Sequence, residues 1–425
     1  MKEIIKSIII ESQEKKLIEI RSREIVIPEN IPMIVSLIGP RRSGKTYLLY
    51  DIYQQLLQKG VDRKRLVYIN FEDERLELKT EGLDLIIQGY LELYPETHLE
   101  DCYFFFDEIQ NIDGWEKFVR RIFDSICKNI FITGSNAKLL STEIASSLRG
   151  RTVTYTVLPL SLKEYLQFKE ISVSLHNSQK KAQLLTEIKN FILKGGFPEV
   201  VNFDDDTRLR VLQSYFNTMI YRDILERYKI SDALILKYFI KKVFASVGKP
   251  MSINKIYNDL RSQGYKVTNN VLYNFQEYCQ SIFLSVAIPK FDFSEIKQAK
   301  SEKKTYAIDS GLLGAIEYSF TDNLGKLFEN TVLMEFLKQG KEVMYYKDKV
   351  ECDFIVKEQN NLLPIQVSYV LENDETRERE LKGLAEACLK IGVDEGIIIT
   401  FDQQEELVYK GIKVKIIPIY NYFLS

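Results

Sequence analysis

The sequence predicts an α/β protein whose first part is a parallel sheet wrapped by helices. Three observations carry this. Short β-branched or aromatic runs at 33–38, 66–70, 103–107, 129–133 and 152–157 alternate with stretches of helical periodicity. The first run, MIVSLI, opens directly into a glycine-rich loop, GPRRSGKT, at 39–46. The third, YFFFD, is continuously apolar until it ends in two acids, Asp107 and Glu108. A buried parallel strand reads as an unbroken apolar run, and its carboxyl end is where ligands sit.

The chain of 425 residues is long for one domain, and about two to four are expected. Its composition, 45% hydrophobic and 28% charged, is that of an ordinary soluble globular protein. A net charge of -2 excludes polyanion binding driven by bulk charge alone. The cysteines at 102, 127, 279, 352 and 388 have no CxxC spacing. That argues against a zinc ribbon or a disulfide framework and fits a reducing cytosol, so a cytoplasmic location is expected. The only histidines are His98 and His176, which leaves little room for histidine catalysis or metal ligation. No apolar run reaches the roughly 18 residues of a spanning helix, and no membrane association is expected. The opening stretch, MKEIIKSIIIESQEKK, reads as an amphipathic helix rather than a signal peptide.

The loop at 39–46 stands between the β-branched run and a helical stretch, TYLLYDIYQQLLQKG, with Gly60 as a plausible C-cap. Strand, loop and helix are the context that the phosphate-loop pattern GxxxxGK[ST] demands. The glycines let backbone N–H groups wrap phosphates, and the helix N-terminus adds its dipole. The expected nucleotide-binding set is Gly39, Pro40, Arg41, Arg42, Ser43, Gly44, Lys45, Thr46 and Tyr47. Lys45 would reach the β and γ phosphates, and the Thr46 hydroxyl would sit on Mg²⁺.

Asp107 would hold the hydration shell of the Mg²⁺, and Glu108 would polarise the attacking water. The next strand, NIFITGSN, ends in Ser135 and Asn136, either of which would touch the γ phosphate or the water. A helix over AKLLSTEIASSL then leads to Arg149 and Arg151 at the base of the fifth strand. One of these would reach the γ phosphate of a neighbouring subunit and stabilise transition-state charge. The other reading is a salt-bridged surface arginine.

With these motifs in view, the chain resembles the AAA+ ATPases of bacteria and archaea. More narrowly it is similar to a family whose ATPase module is followed by a C-terminal domain of unknown function. The matching segments are GPRRSGKT, FFFDEIQNIDGW, ITGSN and Arg149-Gly150-Arg151. Further matches are VLPLSLKEYL, GGFPEV at 195–200, YRDILERY at 221–228, AIDSGLL at 307–313 and GKLFEN at 325–330. The resemblance covers nearly the whole chain. It implies a core with strand order 5-1-4-3-2 at 1–157, ATP and Mg²⁺ as cofactors, and a homo-oligomer if an arginine acts in trans.

Residues 158–230 read as helical, punctuated by Gly195, Gly196 and Pro198, and suit the helical lid of such ATPases. Arg222 and Arg227 are candidates for a lid arginine that would sense nucleotide, and the other reading, favoured for each alone, is a charge on a solvated face. From 231 to 306 the chain carries twelve Lys/Arg against six Asp/Glu. Helix, turn, helix and a strand pair suggest a winged helix, with Ser252 and Thr268 as caps and Gly264 at the turn. Asn269, Asn270, Tyr273 and Asn274 would face bases. Lys290, Lys297, Lys300, Lys303 and Lys304 would face phosphates, making DNA the expected partner. Winged helices also serve as protein-binding modules, which stays open as an alternative.

From 307 to 425 the order is a helix, three strands (EVMYYK, ECDFIVK, LLPIQVS), a helix, then GIIITF and VKIIPI. This resembles the restriction-endonuclease-like fold. The resemblance maps its acidic site to Glu329 on the helix, Asp353 on a strand, and Gln366 and Ser368 one strand on. Gln366 stands where an acid is usual and Ser368 where a lysine is usual, so two formal negatives remain for a hard cation that wants anionic oxygens. Lys382 or Lys390 would be the replacement lysine if one has migrated. From 351 to 425 there are eight Lys/Arg against fourteen Asp/Glu, a surface that repels a polyanion. The expectation is a domain that has lost cutting and serves as a platform for a protein partner, with an ATP-coupled nuclease as the alternative.

Overall fold

The computed structural model describes residues 1–28, 31–135, 148–316, 324–359 and 361–424. They form two compact units, Met1–Leu158 and Pro159–Ser425.

The first unit opens with helix α1 (Lys2–Glu14), which buries Ile5, Ile8 and Ile9. The sheet strands are β1 (Ile34–Ile38), β2 (Leu66–Asn70), β3 (Tyr103–Asp107), β4 (Ile130–Gly134) and β5 (Thr152–Thr156). All pairings are parallel, as the sequence predicts, in the order β2-β3-β4-β1-β5 that the resemblance implies. Helices α2 (Lys45–Gln58), α3 (Asp84–Leu93) and α4 (Trp115–Ser125) connect them. Strand β3 lies between β2 and β4, and its phenylalanines are buried. Phe104, Phe105 and Phe106 are each 0% exposed, and Phe105 stacks on Phe131 with ring centroids 5.0 Å apart. Burying each such ring stabilises the fold by roughly 1.5–3 kcal/mol. Helix α4 turns Trp115, Phe118, Val119, Ile122 and Phe123 inward at helical spacing. Asn70 pairs with Asp107, and Ile38 with Gly134, so the strands end along one edge. That edge carries both the glycine-rich loop after β1 and the acids after β3. The helix expected over AKLLSTEIASSL lies outside the described residues except for Leu148.

The second unit starts with α5 (Leu162–Phe168), opened by a reciprocal Ser161–Glu164 capping box. Helices α6 (Ser178–Lys194) and α7 (Asp205–Thr218) follow, and α7 runs on into a π-helical stretch, Met219–Glu226. Next come α8 (Ala233–Ala245), β6 (Lys249–Pro250), α9 (Ile253–Ser262), α10 (Asn269–Ser281), β7 (Ser285–Ile288), α11 (Glu295–Lys300) and β8 (Lys304–Ala307). Strands β6, β8 and β7 form an antiparallel sheet in that order. Ser252 Oγ accepts from Lys255 N at 3.4 Å, while Thr268 takes the cap position of α10 without a side-chain bond.

Helices α12 (Ser310–Ile316) and α13 (Leu324–Lys338) precede a six-stranded sheet. Its strands are β9 (Glu342–Lys347), β10 (Glu351–Glu358), β11 (Asn361–Ser368), β12 (Glu395–Thr400), β13 (Glu405–Tyr409) and β14 (Ile412–Pro418). Their order is β13-β14-β12-β11-β10-β9, with α14 (Asp374–Ile391) and α15 (Ile419–Phe423) completing the unit. Strand β13 escapes sequence reading because its charged, exposed residues EELVY show no apolar run.

The GGFPEV and AIDSGLL segments meet here. Asp309 accepts from Gly196 N at 2.7 Å and from Leu312 N at 2.9 Å. A Cβ on Gly195 would stand 2.1 Å from Asp309 Oδ1, and one on Gly311 only 1.9 Å from Lys194 O. These segments pin α12 against the end of α6, a packing role that accounts for their glycines.

Candidate functional site

The glycine-rich loop takes backbone conformations that its sequence is built for. Gly39 has φ +154°, and a Cβ there would lie 2.1 Å from Val157 O. Gly44, at φ +101°, is the N-cap of α2, and no side chain caps that helix. The first-turn N–H groups therefore face the loop, where an anion fits. Ser43 Oγ is buried without a hydrogen-bond partner in the same loop. Lys45 is buried, and its Nζ donates to Gly39 O at 3.2 Å and Pro40 O at 3.0 Å. Arg41 pairs with Glu72 at 2.8 Å. Tyr47, one position past Thr46, is 58% exposed.

Asp107 sits at the tip of β3 and is bound from three elements. Thr46 Oγ1 donates to its Oδ2 at 2.9 Å, and Tyr68 OH donates to the same oxygen at 2.7 Å. Thr133 Oγ1 donates to Oδ1 and accepts from Glu108 N at 2.8 Å. Burial pushes the Asp107 carboxyl above its ordinary value, against the pull of these donors. Glu108 is buried beside it at φ +52°. Its Oε1 lies 3.7 Å from Lys45 Nζ, and Gln110 Nε2 donates to its Oε2. Burial alone would raise the Glu108 carboxyl, but Lys45, Gln110, Arg41 and Ser135 together hold it below the usual range. Ser135 is buried, with its Oγ 3.4 Å from Gln110 Nε2. The structure thus brings together Lys45, Thr46, Asp107, Glu108 and Ser135. Asn136 lies outside the described residues.

The two arginines differ. Arg151 Nε pairs with Asp124 Oδ1 at 2.6 Å, whereas Arg149 is exposed at φ +52°. Sequence reasoning missed Tyr68, Thr133 and Gln110, which reach the two acids from neighbouring strands and turns. It also missed Arg23, which donates to Ser43 O and Leu158 O at 2.8 Å each and ties the loop to the end of the unit. No motif marks these positions; their roles follow from strand register.

The C-terminal acids also converge, around a residue the sequence had assigned elsewhere. Lys304, expected among the exposed wing lysines, is 0% exposed. It lies on β8, whose four residues are all buried. Its Nζ stands 2.6 Å from Glu351 Oε1, 3.6 Å from Glu329 Oε1 and 3.7 Å from Asp353 Oδ1. Tyr306 OH donates to Glu329 Oε1 at 2.7 Å. Asp353 accepts from Val367 N at 3.0 Å, and Gln366 Oε1 accepts from Asp353 N at 3.1 Å. Gln366 Nε2 donates to Glu380. Ser368 Oγ turns away to Val370 O at 3.0 Å. Lys382 and Lys390 are exposed, so neither is the lysine of this cluster.

Burial opposes charge on Lys304, yet Glu329, Asp353 and Glu351 hold its ammonium above the ordinary lysine value. Burial also pushes Asp353 well up, with Glu329 adding to it, and raises Glu329. Glu351 stays below the usual range because Lys304 and Lys347 outweigh its burial. Among the described residues, no group of three or more His, Cys, Asp or Glu is arranged to hold a metal ion. No helix among them is long and apolar enough to cross a membrane. All five cysteines are free and buried.

Comparison with known proteins places this geometry. An AAA domain family matches residues 32–166, and two domains of unknown function match 185–323 and 324–422. The uncharacterized protein MJ1544 of Methanocaldococcus jannaschii is 35% identical over 420 residues, covering 94% of this chain and 89% of that protein. An uncharacterized protein of Haemophilus influenzae is 30% identical over 377 residues, covering 88% and 91%. Likeness to solved structures is low. Cdc6p from Pyrobaculum aerophilum is 15% identical, covering 68% of this chain and 87% of that one, with a TM-score of 0.26. The Aeropyrum pernix Orc1 protein in complex with DNA is 13% identical, covering 69% and 87%, with a TM-score of 0.28. With a phosphate loop, an acid-tipped third strand and relatives that align nearly end to end, the chain belongs to the AAA+ family of P-loop ATPases whose ATPase module precedes C-terminal domains of unknown function.

Proposed function

We propose that this protein binds ATP with Mg²⁺, hydrolyses it, and couples turnover to DNA. The observation that carries the reading is the meeting of Thr46 and Asp107 at 2.9 Å beside Lys45 and Glu108. The chain's own groups fit the cofactor: the uncapped start of α2 and the unpartnered Ser43 hydroxyl suit phosphate oxygens. Thr46 and Asp107 supply the oxygens a hard cation prefers. In this reading Lys45 neutralises the β and γ phosphates, and Glu108, kept ionised by its neighbours, takes the water's proton. Ser135 or Asn136 contacts the γ phosphate. Exposed Arg149 is the better finger in trans, since Arg151 is engaged with Asp124, and a trans role requires a homo-oligomer.

The DNA assignment rests on residues 231–306 as a winged helix. Asn270, Tyr273 and Asn274 are exposed on α10, Asn269 is half-buried, and Lys297, Lys300 and Lys303 are exposed around α11. Lys304 leaves this set because it is buried. A second reading, a nucleotide-gated switch that binds a protein partner through the C-terminal domain, is favoured by one observation. Lys304 Nζ already stands among the acids there, 2.6 Å from Glu351, 3.6 Å from Glu329 and 3.7 Å from Asp353, in the space a divalent ion would need. The salt slope of DNA binding separates the readings: phosphate contacts lose affinity steeply as salt rises, and a protein-binding module shows little DNA affinity at any salt.

A further inference from the structure

Three carboxylates that converge, one of them buried and two partly so, need a cation. Metal sites supply one from solvent; here the chain supplies it. Lys304 is fully buried, and its Nζ lies within 3.7 Å of oxygens from Glu329, Glu351 and Asp353. These come from α13 and β10, while Lys304 comes from β8, so the contact joins the three-stranded sheet to the six-stranded one. An ammonium normally spends its three donors on directed hydrogen bonds. Lys304 Nζ has none of good geometry, and Coulombic attraction from three sides holds it instead. That is how a spherical ion is held.

We propose that Lys304 is a tethered cation occupying the place of a divalent metal ion between Glu329, Glu351 and Asp353, so that the C-terminal domain carries a metal site closed by its own chain. Oxygens around a hard divalent ion stand roughly 2.0–2.6 Å from it. Two of the three distances here are about 1 Å longer, the spacing of an ammonium rather than a metal. The surroundings fit a fastening role. Tyr306, also on β8, donates to Glu329, and Tyr345 on β9 donates to Glu302 O at 2.7 Å next to β8. Phe291 N and Pro289 O bond to the Tyr345 backbone at 2.7 and 3.0 Å. The ammonium thus supplies one of a divalent ion's two positive charges and at the same time ties one element to another.

The test uses the full chain without nucleotide, unfolded thermally in EDTA and in excess MnCl₂, with bound Mn²⁺ counted by electron paramagnetic resonance. Four proteins are compared: wild type, Lys304→Met, Asp353→Asn and the double variant. Wild type and Asp353→Asn are expected to respond equally to Mn²⁺. Lys304→Met is expected to melt several degrees lower in EDTA, to recover in Mn²⁺, and to bind one more ion per chain. Both gains should vanish in Lys304→Met/Asp353→Asn. If Lys304→Met does not fold in EDTA, folding on addition of Mn²⁺ supports the proposal and failure to fold overturns it. A folded Lys304→Met that gains no Mn²⁺ also overturns it. So does a wild-type response to Mn²⁺ that Asp353→Asn loses, since the site would then already admit metal.

Discussion

Thr46 Oγ1 and Asp107 Oδ2 are joined by a 2.9 Å hydrogen bond that links the first turn of α2 to the tip of β3. The two residues are 61 positions apart in sequence and meet because β3 and β1 both end on the same edge of one parallel sheet, with β4 between them. Tyr68 and Thr133 reach Asp107 from the strands on either side of β3. A buried carboxylate with this many donors is fixed in one rotamer, which is what a metal-positioning group requires.

Tyr68→Phe removes one donor from that carboxylate while keeping the ring. The expected result is a several-fold rise in the Mg²⁺ concentration needed for half-maximal ATP hydrolysis. The loss of a buried hydrogen bond should also cost about 1–3 kcal/mol in denaturant unfolding. An unchanged Mg²⁺ dependence would separate Tyr68 from the metal.

Glu108→Gln keeps the size and the contact with Gln110 but removes the base. Hydrolysis should fall about 10²–10⁴-fold, while binding of a fluorescent ATP analogue stays within a few-fold of wild type. Equal loss of binding and turnover would make Glu108 a positioning group.

Arg149→Ala should lower turnover by roughly 10³-fold if this arginine completes a neighbour's site. Arg151→Ala should act mainly through its lost ion pair with Asp124, a partly exposed contact worth less than about 1 kcal/mol. Mixing inactive Arg149→Ala with inactive Glu108→Gln should restore part of the activity, because some interfaces then carry both intact residues. No recovery on mixing would argue against action in trans.

Asp353 is pushed well above the usual carboxylate range by burial and by Glu329 beside it. A carboxyl whose folded pKa exceeds its unfolded value gives the folded state the extra proton. Stability is then lost as pH rises from about 3.9, the ordinary aspartate value, toward the raised folded value. Asp353→Asn removes that loss, so the variant should gain on wild type as pH rises above about 4, the ordinary aspartate range. Urea unfolding as a function of pH checks it, and a pH-independent difference would contradict the direction.

The candidate nucleotide site is largely legible in the sequence because its chemistry is local. Eight consecutive residues form the loop, and one aromatic strand ends in Asp107-Glu108. The alternating pattern points to a parallel sheet, and the strand order follows from the resemblance. What escaped notice depends on register across strands. Tyr68 and Thr133 look like ordinary strand residues until pairing sets them beside Asp107. Charge alone misplaces Lys304 for the same reason. Its neighbours Lys297, Lys300 and Lys303 are exposed, so charge alone suggested a basic wing, but the strand that begins at Lys304 is buried throughout. Gln366 and Ser368 lie two apart on β11, and of the two only Gln366 bonds to the acid cluster, through Asp353 N.

The most direct test of the account is steady-state ATP hydrolysis by the full chain with Mg²⁺. It should be run with and without duplex and single-stranded DNA, at low and physiological salt, with Lys45→Ala alongside. The account predicts measurable turnover, stimulated by one form of DNA and less so as salt rises. It also predicts loss of turnover in Lys45→Ala with unfolding unchanged. Full activity in Lys45→Ala would contradict the nucleotide site, and turnover indifferent to both DNA forms would contradict the coupling to DNA.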